Sequence, residues 1–278
     1  MKMDLHCHTR EGSLDGIASI ASYVGRLMEL GYDGMLVTDH NSYKGYEHWL
    51  KIKDDIIRDM PEARRFTVLR GIEYDTYNSG HMLIVLPENV TSTVLLARGL
   101  SATKLIKVVH ELGGIIGPAH PYGTGYYAIM NTRLGRKHVE VMADFDFVET
   151  FNGKTSKLGN DLAALLAKRY DKPAWAGSDS HRVKDIGKVY ALFDGEIRNN
   201  DDLIEYVRSG KCVEVGGQHN FKLHSLRNRI VEKCGIAGYW VYNKWGAFYR
   251  FPARKRARRT YLSNRAMNGD VDERVHQI

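Results

Sequence analysis

The sequence predicts an α/β fold built on a mainly parallel sheet or barrel. Two observations carry this. Short β-rich apolar runs alternate with longer stretches whose apolar residues recur at helical spacing across residues 1–217. Most of the runs end in histidine or aspartate where a strand would enter a loop. In alternating barrels the C-terminal strand ends share one rim.

The elements follow in chain order. MDLHCH is the first strand, and its alternation puts His6 and His8 on one face and Cys7 on the other. GIASIASYVGRLMELGY is a helix with a glycine stop, and GMLVTDH is a buried strand ending in polar residues. YEHWLKIKDDIIRDM is an amphipathic helix with Trp49, Ile52, Ile56 and Ile57 on one side. FTVLRGIEYD and GHMLIVLP form a hairpin through the turn YNSG. SATKLIKVVHELGG is a helix with Ser101 as a candidate N-cap. GIIGPAHP, FDFVETFNG and PAWAGSDSH are three further strands, separated by VEVMAD and by the helical GNDLAALLAKRY. NNDDLIEYVRSGKCVEV closes the unit with a helix and a strand.

Composition narrows the class. No apolar run approaches the ~20 residues of a membrane span, and MKMDLHCHTREGS meets charge before a signal-peptide core forms. Three cysteines, Cys7, Cys212 and Cys234, lack zinc-finger spacing and suit a reducing, cytoplasmic setting without disulfides. The net charge of +7 is uneven: residues 1–217 carry −2 and residues 218–278 carry +9. The chain therefore divides into a domain at 1–217 and a basic, aromatic-rich extension at 218–278.

The strand ends bring out a constellation. His6, His8, His40, Glu73, His120, Asp179 and His181 lie at or near them, and His81 opens the strand after Glu73. Eight such groups are too many for one tetrahedral zinc and suit two or three ions sharing bridging carboxylates. Crowded carboxylates and imidazoles would otherwise repel one another or stay desolvated.

DLHCHT, VTDHNS, GIEY, GPAHP and GSDSH, in this order, resemble the signature of the PHP (polymerase and histidinol phosphatase) family over about residues 1–217. The resemblance implies a distorted (β/α)7 barrel that hydrolyses phosphate esters at a two- or three-metal site holding Zn, Mn or Fe. It implies His6 and His8 for the first metal motif, His40 for the next, and Glu73 for the bridging carboxylate. His81 and His120 fall to the third ion, and Asp179 and His181 to the last motif. Many members place an aspartate closer to the second histidine; here HTREGSLDG offers Asp15, which keeps the Asp-Gly pair, with Glu11 as the alternative.

Clustered divalent ions offset phosphate charge and lower the pKa of a bound water. The expected reaction is attack by a metal-bound hydroxide held in part by Glu73, with Asp179 or an uncommitted histidine protonating the leaving group. Arg182, Arg10 and Lys44 follow ligand motifs and are candidate phosphate donors. Tyr122 and Arg133 lie in PYGTGYYAIMNTRLGRKH, long enough for a substrate lid, and Asn152 follows a strand.

The expected substrate is a phosphorylated small molecule or nucleotide. In the extension, FKLHSLRNRIVEKCG reads as a basic helix, and YWVYNKWGAFYRFPARKRARRTYLSNR interleaves aromatics with Arg and Lys. That pattern suits nucleic acid, an anionic membrane surface, or packing onto the barrel. Two alternatives follow: a nuclease acting on RNA or DNA ends, and a non-enzymatic metal-bearing nucleic-acid scaffold. The terminal NGDVDERVHQI reads as disordered.

Overall fold

The computed structural model describes residues 1–211 and 213–219. In the C-terminal part it describes positions 234, 237, 238, 240–242, 244–246, 248–257 and 259. Among the described residues nine strands are β1 Lys2–Cys7, β2 Gly34–Val37, β3 Thr67–Asp75, β4 His81–Val85, β5 Ile115–Pro118, β6 Val148–Asn152, β7 Ala174–Gly177, β8 Val189–Leu192 and β9 Glu214–Gly217. The helices are α1 Ile20–Glu29, α2 Lys44–Asp59, α3 Ala102–Glu111, α4 Arg133–Lys137, α5 Lys157–Arg169 and α6 Asn200–Arg208. The basic helix expected over FKLHSLRNRIVEKCG and the terminal NGDVDERVHQI lie outside the described residues, apart from Cys234.

Seven strands form a curled sheet in the order β5-β4-β3-β2-β1-β8-β9, and β6 and β7 form a separate pair. The pair closes the curl on both sides. Against β1, Asp179 N donates to His6 O (2.9 Å) and His8 N to Ser180 O (3.1 Å). Against β5, Asp146 N donates to Ile116 O at 2.9 Å. Gly177 is required at the first seam, because a Cβ there would stand 2.1 Å from the His6 Cβ. The result is the distorted barrel that the sequence implied.

Pairing is less parallel than expected. β1–β2, β2–β3 and β6–β7 are parallel, whereas β3–β4, β4–β5, β1–β8 and β8–β9 are antiparallel. The turn between β3 and β4 is too short for a crossover, so β4 must run backwards. The strand β8 was not evident in the sequence, since VYAL is a four-residue run with no periodicity of its own.

β2, β4 and β5 send alternate side chains into different cores, which explains their continuous apolar runs. Leu36, Leu83, Val85 and Ile115 join Met3, Leu5, Trp175 and the α6 residues Leu203 and Val207. Met82, Ile84 and Ile116 pack on Leu105 and Val109 of α3. Met35, Val37 and Cys7 pack on Ile20, Tyr23 and Leu27 of α1, with Trp49 of α2. Ile52 and Ile56 join this third core partly buried.

Helix starts follow capping chemistry in part. Ser19, Ser156 and Asn199 accept from backbone N–H groups in the first turns of α1, α5 and α6. Ser101 occupies the N-cap of α3 without such a bond. No helix among the described residues is long and apolar enough to cross a membrane.

Candidate metal centre

Six imidazoles and three carboxylates converge at the open end of the barrel. Three groups have donor atoms within 4.8 Å of one another: His8, Asp15, His40 and His181; His6, His8 and Asp179; and His40, Glu73 and His81. Glu73 sits at the junction. One oxygen faces His8 (3.1 Å), His6 (3.4 Å) and His40 (3.4 Å). The other faces His81 (3.0 Å) and His120 (3.1 Å). Asp179 Oδ1 lies 3.5 Å from His8 and 4.0 Å from His6.

Local structure aims these groups. Alternation along β1 puts His6 and His8 together, with Nε2 atoms 3.0 Å apart. His120 and Asp179 follow β5 and β7 in left-handed backbone, at φ 30° and 51°. Such conformations cost about 1–3 kcal/mol each in non-glycine residues. Backbone bonds hold them: His120 N donates to Glu149 Oε2 (2.6 Å), and Asp179 N to His6 O (2.9 Å).

Asp15 and Glu11 separate clearly. Asp15 Oδ2 is 2.9 Å from His181 Nε2 and 3.7 Å from His40 Nε2. Glu11 turns to α1, accepting from Ile20 N at 3.1 Å. Asp39 points into the loop that follows β1. It accepts from Thr9 N (2.6 Å), Thr9 Oγ1 (2.9 Å), Ser13 Oγ (3.1 Å) and Gly45 N (3.1 Å).

Charge in the centre is balanced by burial and neighbours. Burial opposes protonation of His6, but Glu149, Glu73 and Asp179 outweigh it and raise its pKa. Burial pushes His8 down to about 3, helped by His181, so His8 is neutral and its ring nitrogen can ligate. Burial would lift Glu73, yet His81, His6 and His40 hold its carboxyl well below the usual range. Asp179 is likewise held low against its burial by Lys154, His6 and His181. Burial lifts Asp39 to about 6.

The donor set fits divalent ions. Two imidazole nitrogens 3.0 Å apart and a buried His40 Nδ1 without a hydrogen bond are groups that a shared cation would satisfy. Mixed imidazole and carboxylate donors suit Zn, Mn or Fe.

Sequence reasoning missed Glu149 and Lys154. Glu149 is fully buried and fixes His6 through Nδ1 at 2.8 Å, turning Nε2 toward the cluster. Its only sequence signal is an acid inside an apolar strand. Lys154 Nζ lies 3.3 Å from Asp179 Oδ1 and contacts His181 Nδ1.

A cavity of about 260 Å³ opens over the cluster, lined also by Thr124, Tyr127, Asn152, Lys154 and Thr155. Arg10, Lys44, Tyr122, Arg133 and Arg182 are not in its wall. Arg10 pairs with Glu11 (3.2 Å), Lys44 begins α2, and Arg133 begins α4 on the surface. Arg182 is exposed beyond His181, and Tyr122 packs against the α3 core. Asn152 lines the cavity, but its Nδ2 binds Glu149 (3.1 Å) and Asp179 (3.3 Å). Its Oδ1 accepts from Lys154 N (2.9 Å) and Thr155 N (3.1 Å).

Comparison with known proteins agrees with this geometry. A profile of the PHP domain matches residues 4–158, and one of the PHP-associated C-terminal region matches residues 157–212. An uncharacterized Methanocaldococcus jannaschii protein is 28% identical over 173 residues, 58% of this chain and 68% of that one. A candidate metal-dependent phosphoesterase from Bifidobacterium adolescentis superposes with a TM-score of 0.51 at 16% identity, over 75% of this chain and 96% of that one. The lesion-specific endonuclease Q of Pyrococcus furiosus gives 0.55 at 15% identity, over 84% and 66%. An endonuclease Q is also known in complex with a 27-mer duplex bearing an abasic lesion at the active site. At these identities the structural likenesses carry the fold alone, while the domain profile spans more than half of the sequence. The chain belongs to the PHP-domain family.

Proposed function

We propose that the protein hydrolyses a terminal phosphate ester of a small molecule or nucleotide, using two or three divalent ions. The carrying observation is the cavity: small, and lined by candidate ligands together with Lys154, Thr124 and Thr155. That size suits a phosphoryl group with a modest leaving group.

The ions supply positive charge for the phosphoryl oxygens and a more acidic bound water. The chain's own groups do the rest. Glu73 links two donor groups through its two oxygens. Glu149 keeps the His6 ring turned with Nε2 toward the cluster. Lys154 is the cation at the mouth, placed to donate to a phosphate oxygen, and Asn152 holds Asp179 and the Lys154 loop in place. Asp179 is held ionised by its surroundings, so it has no proton to give the leaving group; protonation of the leaving group falls to Lys154 or to water.

The test is a panel of phosphate esters and 5′-labelled oligonucleotides, offered to protein reloaded with Zn, Mn or Fe. Small esters turned over faster than oligonucleotides support the proposal, and the reverse ranking overturns it. One observation favours a nuclease as the second reading. Trp245, Phe248, Tyr249 and Phe251 are 60–85% exposed, on a helical segment that also exposes Arg250, Lys255, Arg256 and Arg259. Aromatics and cations in that mixture suit single strands.

A further inference from the structure

Tyr127 stands in the cavity wall, and among the described residues it is the one aromatic side chain there apart from the histidines. Its ring centre lies 5.1 Å from that of His81, with the planes at 47°. The other wall residues outside the donor set are Gly123 and Thr124 from the same loop, and Asn152, Lys154 and Thr155 from the loop after β6. Lys154 is held beside Asp179, 3.3 Å from Oδ1, and contacts His181. A cation thus stands beside Asp179 and His181, and a ring stands beside His81.

The ring is fixed from behind. The Tyr126 hydroxyl donates to the Tyr77 carbonyl at 2.5 Å, and Asn131 Nδ2 donates to the carbonyls of Gly123 (2.9 Å) and Gly125 (2.8 Å). Gly80, in left-handed backbone at φ 71°, makes room for the Tyr127 carbonyl, since a Cβ at Gly80 would stand 2.1 Å from that oxygen. The described C-terminal segment completes the support. Lys244 Nζ donates to the same Tyr77 carbonyl at 2.7 Å, and lies 3.5 Å from the centre of the Tyr77 ring and 5.7 Å from that of Tyr126. A carbonyl oxygen has two lone pairs, so it accepts from both donors. Arg98, in the loop between β4 and α3, keeps the segment in place. Its Nη2 donates to the Tyr242 carbonyl at 3.2 Å, and Arg254 Nη1 donates to the Arg98 carbonyl at 2.7 Å.

We propose that Tyr127 is a specificity-determining residue that receives an aromatic or heterocyclic ring in the leaving group of the ester, and that Lys244 positions it through Tyr77 and Tyr126. Ions and Lys154 take the phosphoryl oxygens, which every phosphate ester carries. The Tyr127 ring adds a ring-to-ring contact that an aliphatic leaving group does not make. The C-terminal segment then serves the choice of substrate from a distance. This inference rests on the phosphate-ester reading, and its test reads binding and not turnover.

Full-length protein reloaded with manganese would be titrated by calorimetry with phenylphosphonate and with methylphosphonate, neither of which it can hydrolyse as an ester. Ion content and near-ultraviolet circular dichroism are measured on every variant. Wild type is expected to prefer phenylphosphonate. Tyr127→Leu should lose about 2–10-fold in affinity for phenylphosphonate and none for methylphosphonate, with ion content unchanged, and Tyr127→Phe should keep the preference. Lys244→Met should lose part of the same preference and Lys244→Arg should keep it. Because Lys244 acts through Tyr127, the double variant should bind no more weakly than Tyr127→Leu alone. Equal affinity of wild type for the two phosphonates overturns the proposal, and so does an equal loss for both ligands or a loss of ions in Tyr127→Leu. Fully additive losses in the double variant overturn the role of Lys244. If Tyr127→Leu does not fold, the comparison of Lys244→Met with Lys244→Arg decides. A wild type that prefers phenylphosphonate but cleaves no ester defeats the phosphatase reading and leaves the ring contact standing.

Discussion

Lys154 Nζ stands 3.3 Å from Asp179 Oδ1 at the mouth of the metal cavity. Among the described residues it is the one Lys or Arg in the cavity wall. A charged hydrogen bond to phosphate contributes about 1.5–3 kcal/mol. Lys154→Met is therefore expected to lower kcat/KM for an aryl phosphate about 10–100-fold, with ion content unchanged. Turnover close to wild type would remove Lys154 from substrate binding.

Glu73 joins donor groups that no other described side chain joins through both carboxylate oxygens. Glu73→Gln keeps the shape and removes the charge. Ion content measured by elemental analysis should drop, and phosphatase activity should fall by orders of magnitude, while circular dichroism stays as in wild type. Retained ions and activity would show that the carboxylate does not bridge.

Asn200 repairs an edge of the sheet. β4 pairs only with Gly71–Asp75 of β3, so Arg70 has no strand partner on that side. Asn200 Oδ1 accepts from Arg70 N (3.1 Å), and its Nδ2 donates to Arg70 O and Leu86 O, both at 2.7 Å. It is fully buried. Asn200→Ala leaves these backbone groups unsatisfied and should cost about 2–4 kcal/mol, read as a lower urea midpoint at unchanged slope. A midpoint within error of wild type would mean that water replaces the amide.

His110 provides a pH signature away from the metals. Its Nε2 is 2.9 Å from Asp146 Oδ2, and that hydrogen bond raises its pKa above the ordinary value. A histidine raised on folding stabilises fully below its unfolded value of about 6.5. That contribution is lost as pH rises through the folded value. His110→Gln should flatten this part of the stability profile, measured as Tm against pH. An imidazole titration by NMR at or below about 6.5 would contradict the pairing.

Much of this centre was legible because apolar strands ending in polar residues mark a rim. His6, His8, His40, His120, Asp179 and His181 all lie at or next to the ends of such runs, and the structure brings them together. The groups that orient them were not legible. Glu149 is 143 residues from His6 and looks like the polar half of an alternating strand. The expected phosphate donors failed to reach the cavity for a geometric reason. Adjacent residues in extended chain point to opposite sides, so Arg182 faces outward where His181 faces in. Lys154 reaches the mouth from the turn after β6, where only an Asn-Gly pair preceded it in the sequence.

The barrel is held at its seam by few backbone bonds, yet the donor groups straddle that seam. His6 and His8 lie at the C-terminal end of β1 in the seven-stranded sheet, while Asp179 and His181 follow the separate pair. Ions bound there would act as a clasp between two independently hydrogen-bonded sheets. Their loss would loosen the closure before it loosened either sheet. Amide exchange at His8, Ile116, Asp146 and Asp179 should therefore report ion occupancy more sharply than exchange in the middle of β2 or β3. The breathing of the apoprotein is then a property of how the sheet is divided, fixed by where the chain leaves the curl after β5 and returns to it beside β1.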